Sequence, residues 1–243
     1  MKRGIKNSSF ELQRGFSLVE LMVVVVILLA LLAALFQVLN LSTERSATEQ
    51  TKLDMFQEAR EFMDQMSRDL RLAGYPNARN FTASTLPEPP TSDARVAVGI
   101  VKIADGELWF EADVDGDGTV EVVHYNLDST GTNCPCLKRS QLEKTSGNPY
   151  TGQATPVYQV EVQGVTNSSI FTAYNNAVIQ SLPLNFNSNP AQIAGLDTIQ
   201  AVLSLQSPTM DPKTHTKPTT SLVSTVRLNN CSLAATAQQT SCY

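Results

Sequence analysis

Regularly spaced carboxylates are the clearest candidates for chemistry in this sequence. Asp113, Asp115 and Asp117 alternate with other residues, Gly116 and Gly118 provide a tight turn, and an acid follows shortly after. Alternate residues around such a turn direct several oxygens toward one point, as calcium requires at about 2.3–2.6 Å. The pattern predicts a structural calcium site with these ligands: Asp113, Asp115, Asp117, the carbonyl of Thr119, and Glu121.

The acidic stretch resembles only the first half of an EF-hand loop. Its twelfth position, where a bidentate Glu is expected, is His124. The flanking residues 108–110 and 120–125 look like strands, so we predict a calcium loop inserted at a hairpin and no EF-hand domain. The alternative interpretation is a Gly-rich turn whose carboxylates are merely solvated, and the sequence leaves both open.

Four cysteines form two groups, Cys134 with Cys136 and Cys231 with Cys242. In an exported domain this even number indicates two disulfides, for which three pairings exist. Pairing between the groups avoids the one-residue loop that Cys134–Cys136 would close across Pro135, but the sequence does not decide the pairing. A zinc site of four thiolates is the alternative, although C-x-C and C-x10-C are unusual ligand spacings.

No catalytic motif is present. The sequence lacks a G-x-S-x-G elbow, an H-E-x-x-H pair, a P-loop and a dinucleotide-binding fingerprint. Its two imidazoles, His124 and His215, are expected at the surface, and no nucleophile is paired with a base. We therefore expect no enzymatic activity.

One apolar segment dominates the N-terminal part of the chain. Residues 21–36 are sixteen consecutive apolar positions, and residues 16–39 are interrupted only by Ser17, Glu20 and Gln37. Those 24 residues form a helix of about 36 Å, enough to cross a bilayer core of about 30 Å. Four basic residues and one acid precede the run, so the positive-inside rule predicts a cytoplasmic N-terminus and an exported remainder.

Glu20 distinguishes this segment from ordinary export signals. Placing a carboxylate in hydrocarbon costs about 2.5–3.5 kcal/mol. Glu20 is therefore a candidate functional residue, and its side chain needs a partner group. A cleaved signal peptide should end in an A-x-A site, and none closely follows the run. A plain signal anchor fits the length of the run but gives no reason for Glu20.

The residues Gly15-Phe16-Ser17-Leu18-Val19-Glu20-Leu21 resemble the type III signal of type IV pilins and pseudopilins. The resemblance implies that a prepilin peptidase cuts after Gly15 on the cytoplasmic side and that the new N-terminus, Phe16, is N-methylated. It also implies that Glu20 meets the N-terminal ammonium of a neighbouring subunit, because two opposite charges neutralise each other where neither could remain alone. The implied partners are prepilin peptidase and other pilin and minor pilin subunits.

The remainder of the chain is most similar to PilW-like minor pilins, though less specifically. The similarity is carried by an Asp/Gly-rich loop followed by residues 121–125, by Gly74-Tyr75-Pro76, and by residues 225–230. J-type pseudopilins of type II secretion share the N-terminal motif and a related head. In pilins a C-terminal disulfide loop is common, and here it would join Cys231 to Cys242.

The periodicity predicts the elements that hold these residues. Residues 42–74 form an amphipathic helix that ends before Pro76, with a wide apolar face expected in the core. That face comprises Leu53, Met55, Phe56, Ala59, Phe62, Met63, Met66, Leu70 and Ala73. Period-two patterns predict strands at 95–103, 107–112, 119–127, 136–141, 157–165, 196–206 and 221–229, in one antiparallel sheet with one face on the helix. The fold class is α+β and pilin-like.

Composition and charge agree with an exported assembly protein. The 243 residues carry a net charge of −5, with 42% apolar and 17% charged residues, which excludes a disordered, self-repelling chain. An acidic chain with two His and no Lys/Arg-rich stretch is also a poor nucleic-acid binder, so no nucleic-acid partner is predicted. We predict a leader (1–15), a transmembrane half-helix (16–40), a soluble half-helix (41–74) and a β-rich head (75–243).

The predicted location is the inner membrane, crossed once with the head outside the cytoplasm, and then the pilus or cell surface. The function expected is that of a minor pilin in type IV pilus assembly or initiation. The alternatives are a J-type pseudopilin and a membrane-anchored, calcium-dependent adhesin or binding module.

Overall fold

The computed structural model describes residues 17–132, 134–211 and 214–229. The chain divides into two units, Met1–Ala47 and Thr48–Tyr243, and one long helix, α1 (Leu18–Leu72), contributes to both. In the first unit, the described residues 17–47 are all exposed. The helix begins where the Ser17 carbonyl accepts a hydrogen bond from the Leu21 amide at 3.1 Å.

The second unit contains the strands. Within its described part the elements are β1 (Gly99–Ala104), β2 (Glu107–Ala112), β3 (Glu121–Asp128), β4 (Cys136–Glu143), β5 (Gln159–Gln163), β6 (Phe171–Asn175), β7 (Val178–Ile179), β8 (Leu184–Asn185), the short helix α2 (Pro190–Ala194), β9 (Thr198–Gln206) and β10 (Thr219–Arg227). Three 3₁₀ turns precede β1, at Ala78–Asn80, Ala83–Thr85 and Pro90–Ser92.

The described strands form two antiparallel sheets. The larger sheet has six strands in the order β5-β4-β3-β2-β1-β8, and the smaller has four in the order β10-β9-β6-β7. A single antiparallel bridge between Val165 and Leu205 connects them. Our prediction of one sheet was wrong, whereas each of the seven predicted strands has a counterpart in the structure.

Residues 48–72 of α1 pack against both sheets and complete the core of the second unit. The Phe62 ring meets the Tyr125 ring edge-on, with centroids 5.5 Å apart. On the other side, the Ser67 hydroxyl lies 2.7 Å from that of Ser224 on β10. The buried apolar residues of this stretch are Ala59, Phe62, Met63, Met66, Leu70 and Ala73. The chain is α+β, with a long N-terminal helix on antiparallel sheets, as predicted.

The apolar face of the helix is wider than the surface that the sheets cover. Leu53 and Phe56 were predicted in the core, but they are 58% and 36% exposed. Full burial of apolar side chains begins only at Ala59. The helix ends at Leu72, and Gly74 follows with a φ of +83°, a left-handed conformation that suits glycine after a helix.

Candidate functional site

The N-terminal segment places one carboxylate at the start of a fully exposed apolar helix. Glu20 lies in the first turn of α1. The helix contains an 18-residue window with a mean hydropathy of 3.1, of which 0% is buried within the chain. A surface this apolar is stable only against lipid or other helices, so the segment indicates membrane anchoring. Gly15 and Phe16 lie outside the described residues.

The acidic loop connects β2 to β3, as predicted. Ala112 and Glu121 pair at its base. Asp113 organises the loop, because its carboxylate accepts hydrogen bonds from the amides of Gly116 at 2.7 Å and Gly118 at 3.1 Å. Both glycines have positive φ values, +78° and +90°, which few other residues adopt.

The three aspartates are close enough to share one cation. One oxygen from each of Asp113, Asp115 and Asp117 lies within 4.8 Å of the others. Two oxygens that bind the same calcium at 2.3–2.6 Å are at most about 5.2 Å apart, so the donor set and its spacing fit a hard cation. Asp115 and Asp117 are exposed, so an ion can reach their carboxylates from solvent. The cluster could therefore hold a metal ion.

Glu121 is buried, whereas Asp115 and Asp117 are exposed. It is 4% exposed, and its Oε2 atom accepts a hydrogen bond from the Val114 amide at 2.9 Å. Burial, together with the charges of Asp115, Asp113 and Asp117, raises the pKa of Glu121 to about 7. A cation bound here would stabilise the ionised Glu121 carboxylate against both its burial and the neighbouring negative charges. Thr119 donates its amide to Asp117 at 2.7 Å, and the sequence-based role of its carbonyl stays a prediction.

The first two cysteines are joined to each other. Cys134 and Cys136 form a disulfide across Pro135, with Cα atoms 4.4 Å apart. The alternative pairing, between the two groups of cysteines, is therefore not formed by Cys134 and Cys136. Both sulfurs are consumed in this bond, so neither is a thiolate ligand for zinc. Cys231 and Cys242 lie outside the described part of the chain.

His124 is in the interior, contrary to the prediction of a surface position. It is 4% exposed and stacks on Trp109, with ring centroids 4.2 Å apart. The two residues are cross-strand neighbours on β3 and β2, and the Lys102 ammonium lies 4.8 Å from the centre of the indole ring. Burial, and secondarily Lys102, lowers the pKa of His124 to about 4. His215 is exposed, as predicted.

A second buried group escaped sequence reasoning. The Lys144 ammonium donates to Glu111 Oε2 at 2.7 Å and to the carbonyls of Thr91 and Val96 at 3.0 and 2.6 Å. Glu111 and Lys144 have no exposed side-chain surface. Three acceptors around one ammonium saturate its donors, so the pair fixes the segment before β1 against the larger sheet and does not provide a nucleophile.

Comparison with known proteins supports the N-terminal motif. Residues 12–36 match the family described as "Prokaryotic N-terminal methylation motif". The chain is type IV pilin-like at its N-terminus. No curated protein and no solved structure matches it. In a pilin-like chain this motif implies processing by prepilin peptidase and assembly with other pilin subunits, and the matched range includes Glu20.

Proposed function

We propose that this protein is a PilW-like minor pilin that takes part in the assembly or initiation of a type IV pilus. Its leader, residues 1–15, is removed by prepilin peptidase after Gly15, and Phe16 becomes the methylated N-terminus. The observation that carries the proposal is the position of Glu20, at the start of an apolar helical segment. No other described part of the chain covers this segment. Such a helix requires neighbours, and the methylation motif at 12–36 indicates that they are pilins.

The proposed topology follows from the charges that precede the helix. The basic residues of 1–15 remain cytoplasmic, residues 16–40 cross the inner membrane once, and the head lies outside the cytoplasm. After processing, the helix leaves the bilayer for the filament, where its apolar face contacts other helices instead of lipid. The head then reaches the pilus or cell surface. No catalytic step is part of this function.

Glu20 has a specific role in this proposal. Burying its carboxylate among apolar helices is costly unless an opposite charge lies beside it. The methylated amine of Phe16 in a neighbouring subunit supplies that charge, so insertion of a subunit pairs one acid with one ammonium. The pairing of Glu20 with a neighbour's N-terminus therefore fixes the contact between adjacent subunits within an apolar helix bundle.

The decisive experiment replaces Glu20 and follows the protein through assembly. In the source organism, Glu20→Ala should leave the processed protein in the membrane but remove it from sheared filaments. Glu61→Ala, which changes an exposed acid on the same helix, is the matched control and should leave incorporation unchanged. Normal incorporation of the Glu20→Ala variant would overturn the assembly role and favour a membrane-anchored adhesin or binding module.

A gene deletion distinguishes the pilus from the secretion machine. Pili and secreted proteins are measured in the same cultures. Loss of surface pili with normal secretion is the result expected for a minor pilin. Loss of secretion with normal pili would assign the protein to the J-type pseudopilins instead.

A structural calcium ion in the head is a second proposal, carried by the acidic loop. Three aspartate oxygens lie within 4.8 Å of one another, beside the buried Glu121. The candidate ligands are Asp113, Asp115, Asp117, the Thr119 carbonyl and Glu121. A cation at this point would neutralise a cluster whose charges repel one another and would tie the β2–β3 hairpin.

A further inference from the structure

The seam between the two sheets opens into a cleft beside helix α1. Among the residues that the structure describes, a single bridge, Val165–Leu205, connects the sheets. The cleft next to this bridge has a volume of about 720 Å³ and is lined by the helix, by the chain on both sides of the bridge and by Pro135. Sites for small molecules have volumes of about 300–1,000 Å³. The cleft is therefore large enough to hold a ligand.

Backbone contacts hold the seam side of the cleft in place. The Pro135 carbonyl accepts hydrogen bonds from the amides of Gly164 at 2.9 Å and Val165 at 3.2 Å. Gly164 has a φ of +73°, and a Cβ atom at this position would lie 2.6 Å from the carbonyl oxygen of Gln206. The two sides of the seam therefore touch at a point that only glycine fits. A wall fixed in this way loses little conformational freedom when a ligand binds.

One face of the helix forms the other wall of the cleft. Thr51, Met55 and Glu58 follow one another at spacings of four and three residues, so they share that face. Apolar groups come from Met55 on the helix and from Val165 and Pro208 at the seam. A mainly apolar lining that carries a few polar groups is typical of ligand sites, because the apolar part supplies affinity and the polar groups fix orientation.

Four polar side chains of the lining have no hydrogen bond or ion pair within the described part of the chain. They are Glu58, Gln163, Gln206 and Lys217. Glu58 and Lys217 carry opposite charges, yet they do not pair with each other. The two carboxamides each offer both a donor and an acceptor. The cleft therefore presents one anion, one cation and two amide groups that are free to bind a ligand.

These four groups are complementary to a short peptide with free ends. A peptide's terminal ammonium would pair with Glu58, and its terminal carboxylate would pair with Lys217. Its peptide groups match the carboxamides of Gln163 and Gln206, which donate and accept in the same way. A neutral ligand would instead cover both charges without pairing either, and that is costly. Partial burial already raises the pKa of Glu58 above its ordinary value, although the residue as a whole is exposed.

We propose that the cleft binds a short peptide through both of its charged ends, with Glu58 at the ammonium and Lys217 at the carboxylate. A roughly spherical space of 720 Å³ is about 11 Å across, and an extended peptide of two or three residues is about 7–11 Å long. This activity belongs to the head alone and is separate from subunit assembly, because Glu20 is not part of the cleft. Peptide binding should therefore be unchanged in Glu20→Ala, whatever happens to filament incorporation.

Titration calorimetry of the full-length processed protein in detergent tests the binding. The probes are trialanine, N-acetyl-trialanine, which lacks the ammonium, and trialanine amide, which lacks the carboxylate. Trialanine should bind at one saturable site, and blocking either end should weaken binding at least about tenfold, because each end loses a charge-assisted hydrogen bond. No saturable binding of trialanine at about 1 mM would overturn the proposal. Equal binding of the free and blocked peptides would overturn it as well, since the charged ends would then not be recognised.

Two variants assign each end of the peptide to its residue. Glu58→Gln should bind trialanine and N-acetyl-trialanine equally while it still discriminates against the amide. Lys217→Gln should bind trialanine and its amide equally while it still discriminates against the acetylated peptide. Both substitutions are at exposed positions, and Glu61→Gln, an exposed acid of the same helix outside the cleft, is the matched control that should behave as wild type. Wild-type discrimination in either cleft variant would place the peptide elsewhere and overturn the proposal.

Discussion

Asp69 on α1 and Arg139 on β4 form an ion pair with an N–O distance of 3.0 Å, and their side chains are only 10% and 12% exposed. The Tyr125 hydroxyl donates to the same Asp69 oxygen at 3.1 Å. One carboxylate therefore connects the helix to two neighbouring strands of the larger sheet. This contact holds residues 48–72 of the helix against the larger sheet.

Removing the Asp69 carboxylate should destabilise the second unit strongly. Asp69→Ala leaves the Arg139 guanidinium and the Tyr125 hydroxyl without their shared acceptor, so we expect a loss of about 3–5 kcal/mol in the free energy of unfolding. Urea unfolding followed by the fluorescence of Trp109, the single tryptophan, measures it. Glu49→Ala, which breaks the exposed pair with Lys52, is the control and should change the free energy of unfolding only slightly. Similar small losses in both variants would contradict the prediction.

Local signals in the sequence predicted the fold class and most of its elements. The end of α1 near Gly74 and Pro76 is determined by backbone conformation, and the longer strands by period-two patterns that persist for several residues. The division into two sheets was not predictable in this way. It depends on β6 to β8, which are short, and on a turn at Asn176 and Ala177 with φ values of +47° and +64°. Alanine carries no signal for that conformation.

Buried polar groups were the second limit of the sequence. Glu111 and Lys144 are charged residues of a kind that usually faces water, and 33 residues separate them. Only the folding of residues 76–98 over the sheet makes both of them interior. The acidic loop behaves differently, because its residues are adjacent and its hairpin is local. Its position and its converging aspartates were therefore predictable, while the burial of Glu121 was not.

The stability of the head should fall when the pH decreases below the ordinary pKa of histidine. Burial holds the pKa of His124 at about 4, so between pH 6.5 and 4 the unfolded chain binds a proton that the folded head does not. The control variant is His124→Phe, which keeps an aromatic ring beside Trp109. Relative to this variant, the free energy of unfolding of the wild type should fall by about 2 kcal/mol between pH 7 and pH 5.

The comparison between variants is necessary because Glu121 titrates in the opposite direction. Its pKa of about 7 makes the folded head bind a proton more readily than the unfolded chain over an overlapping pH range. Urea unfolding at each pH gives the difference between wild type and His124→Phe, in which the contribution of Glu121 cancels. His215→Asn is the matched control, since His215 is exposed with a φ of +52° that Asn tolerates. If the difference in the free energy of unfolding between wild type and His124→Phe does not change with pH, the lowered pKa of His124 is contradicted.

Calcium should raise the melting temperature of the head. A ligand present at about 100 times its dissociation constant stabilises the folded state by about 2.7 kcal/mol, which corresponds to an increase of about 5–10 °C for a head of this size. Thermal unfolding followed by Trp109 fluorescence, with calcium or with EDTA, measures the shift. Asp115→Asn should abolish it, and Asp64→Asn, on the exposed side of α1, should preserve it. Magnesium should act more weakly, because it requires a smaller octahedral site. Equal melting temperatures with calcium and EDTA would contradict the calcium proposal.

Replacement of Gly15 should separate processing from membrane insertion. If prepilin peptidase cuts between Gly15 and Phe16, a Gly15→Val variant presents a branched side chain where the enzyme must approach the backbone closely, and the leader stays attached. The variant should still enter the membrane, because the apolar run at 21–36 is unchanged. Its intact mass should exceed that of the wild-type protein by residues 1–15 and should lack the methyl group.

The matched control for this substitution is Gly4→Val, which changes a glycine within the same leader but away from the cleavage site. It should be processed and methylated normally. Because an uncleaved leader leaves no free amine at Phe16, the Gly15→Val protein should also be missing from filaments. The Glu20→Ala protein should be missing as well, but it lacks the leader, so the masses of the two variants differ. A cleaved, methylated Gly15→Val protein would contradict the cleavage site, whereas an uncleaved protein that still enters filaments would contradict the pairing of Glu20 with a neighbour's N-terminus.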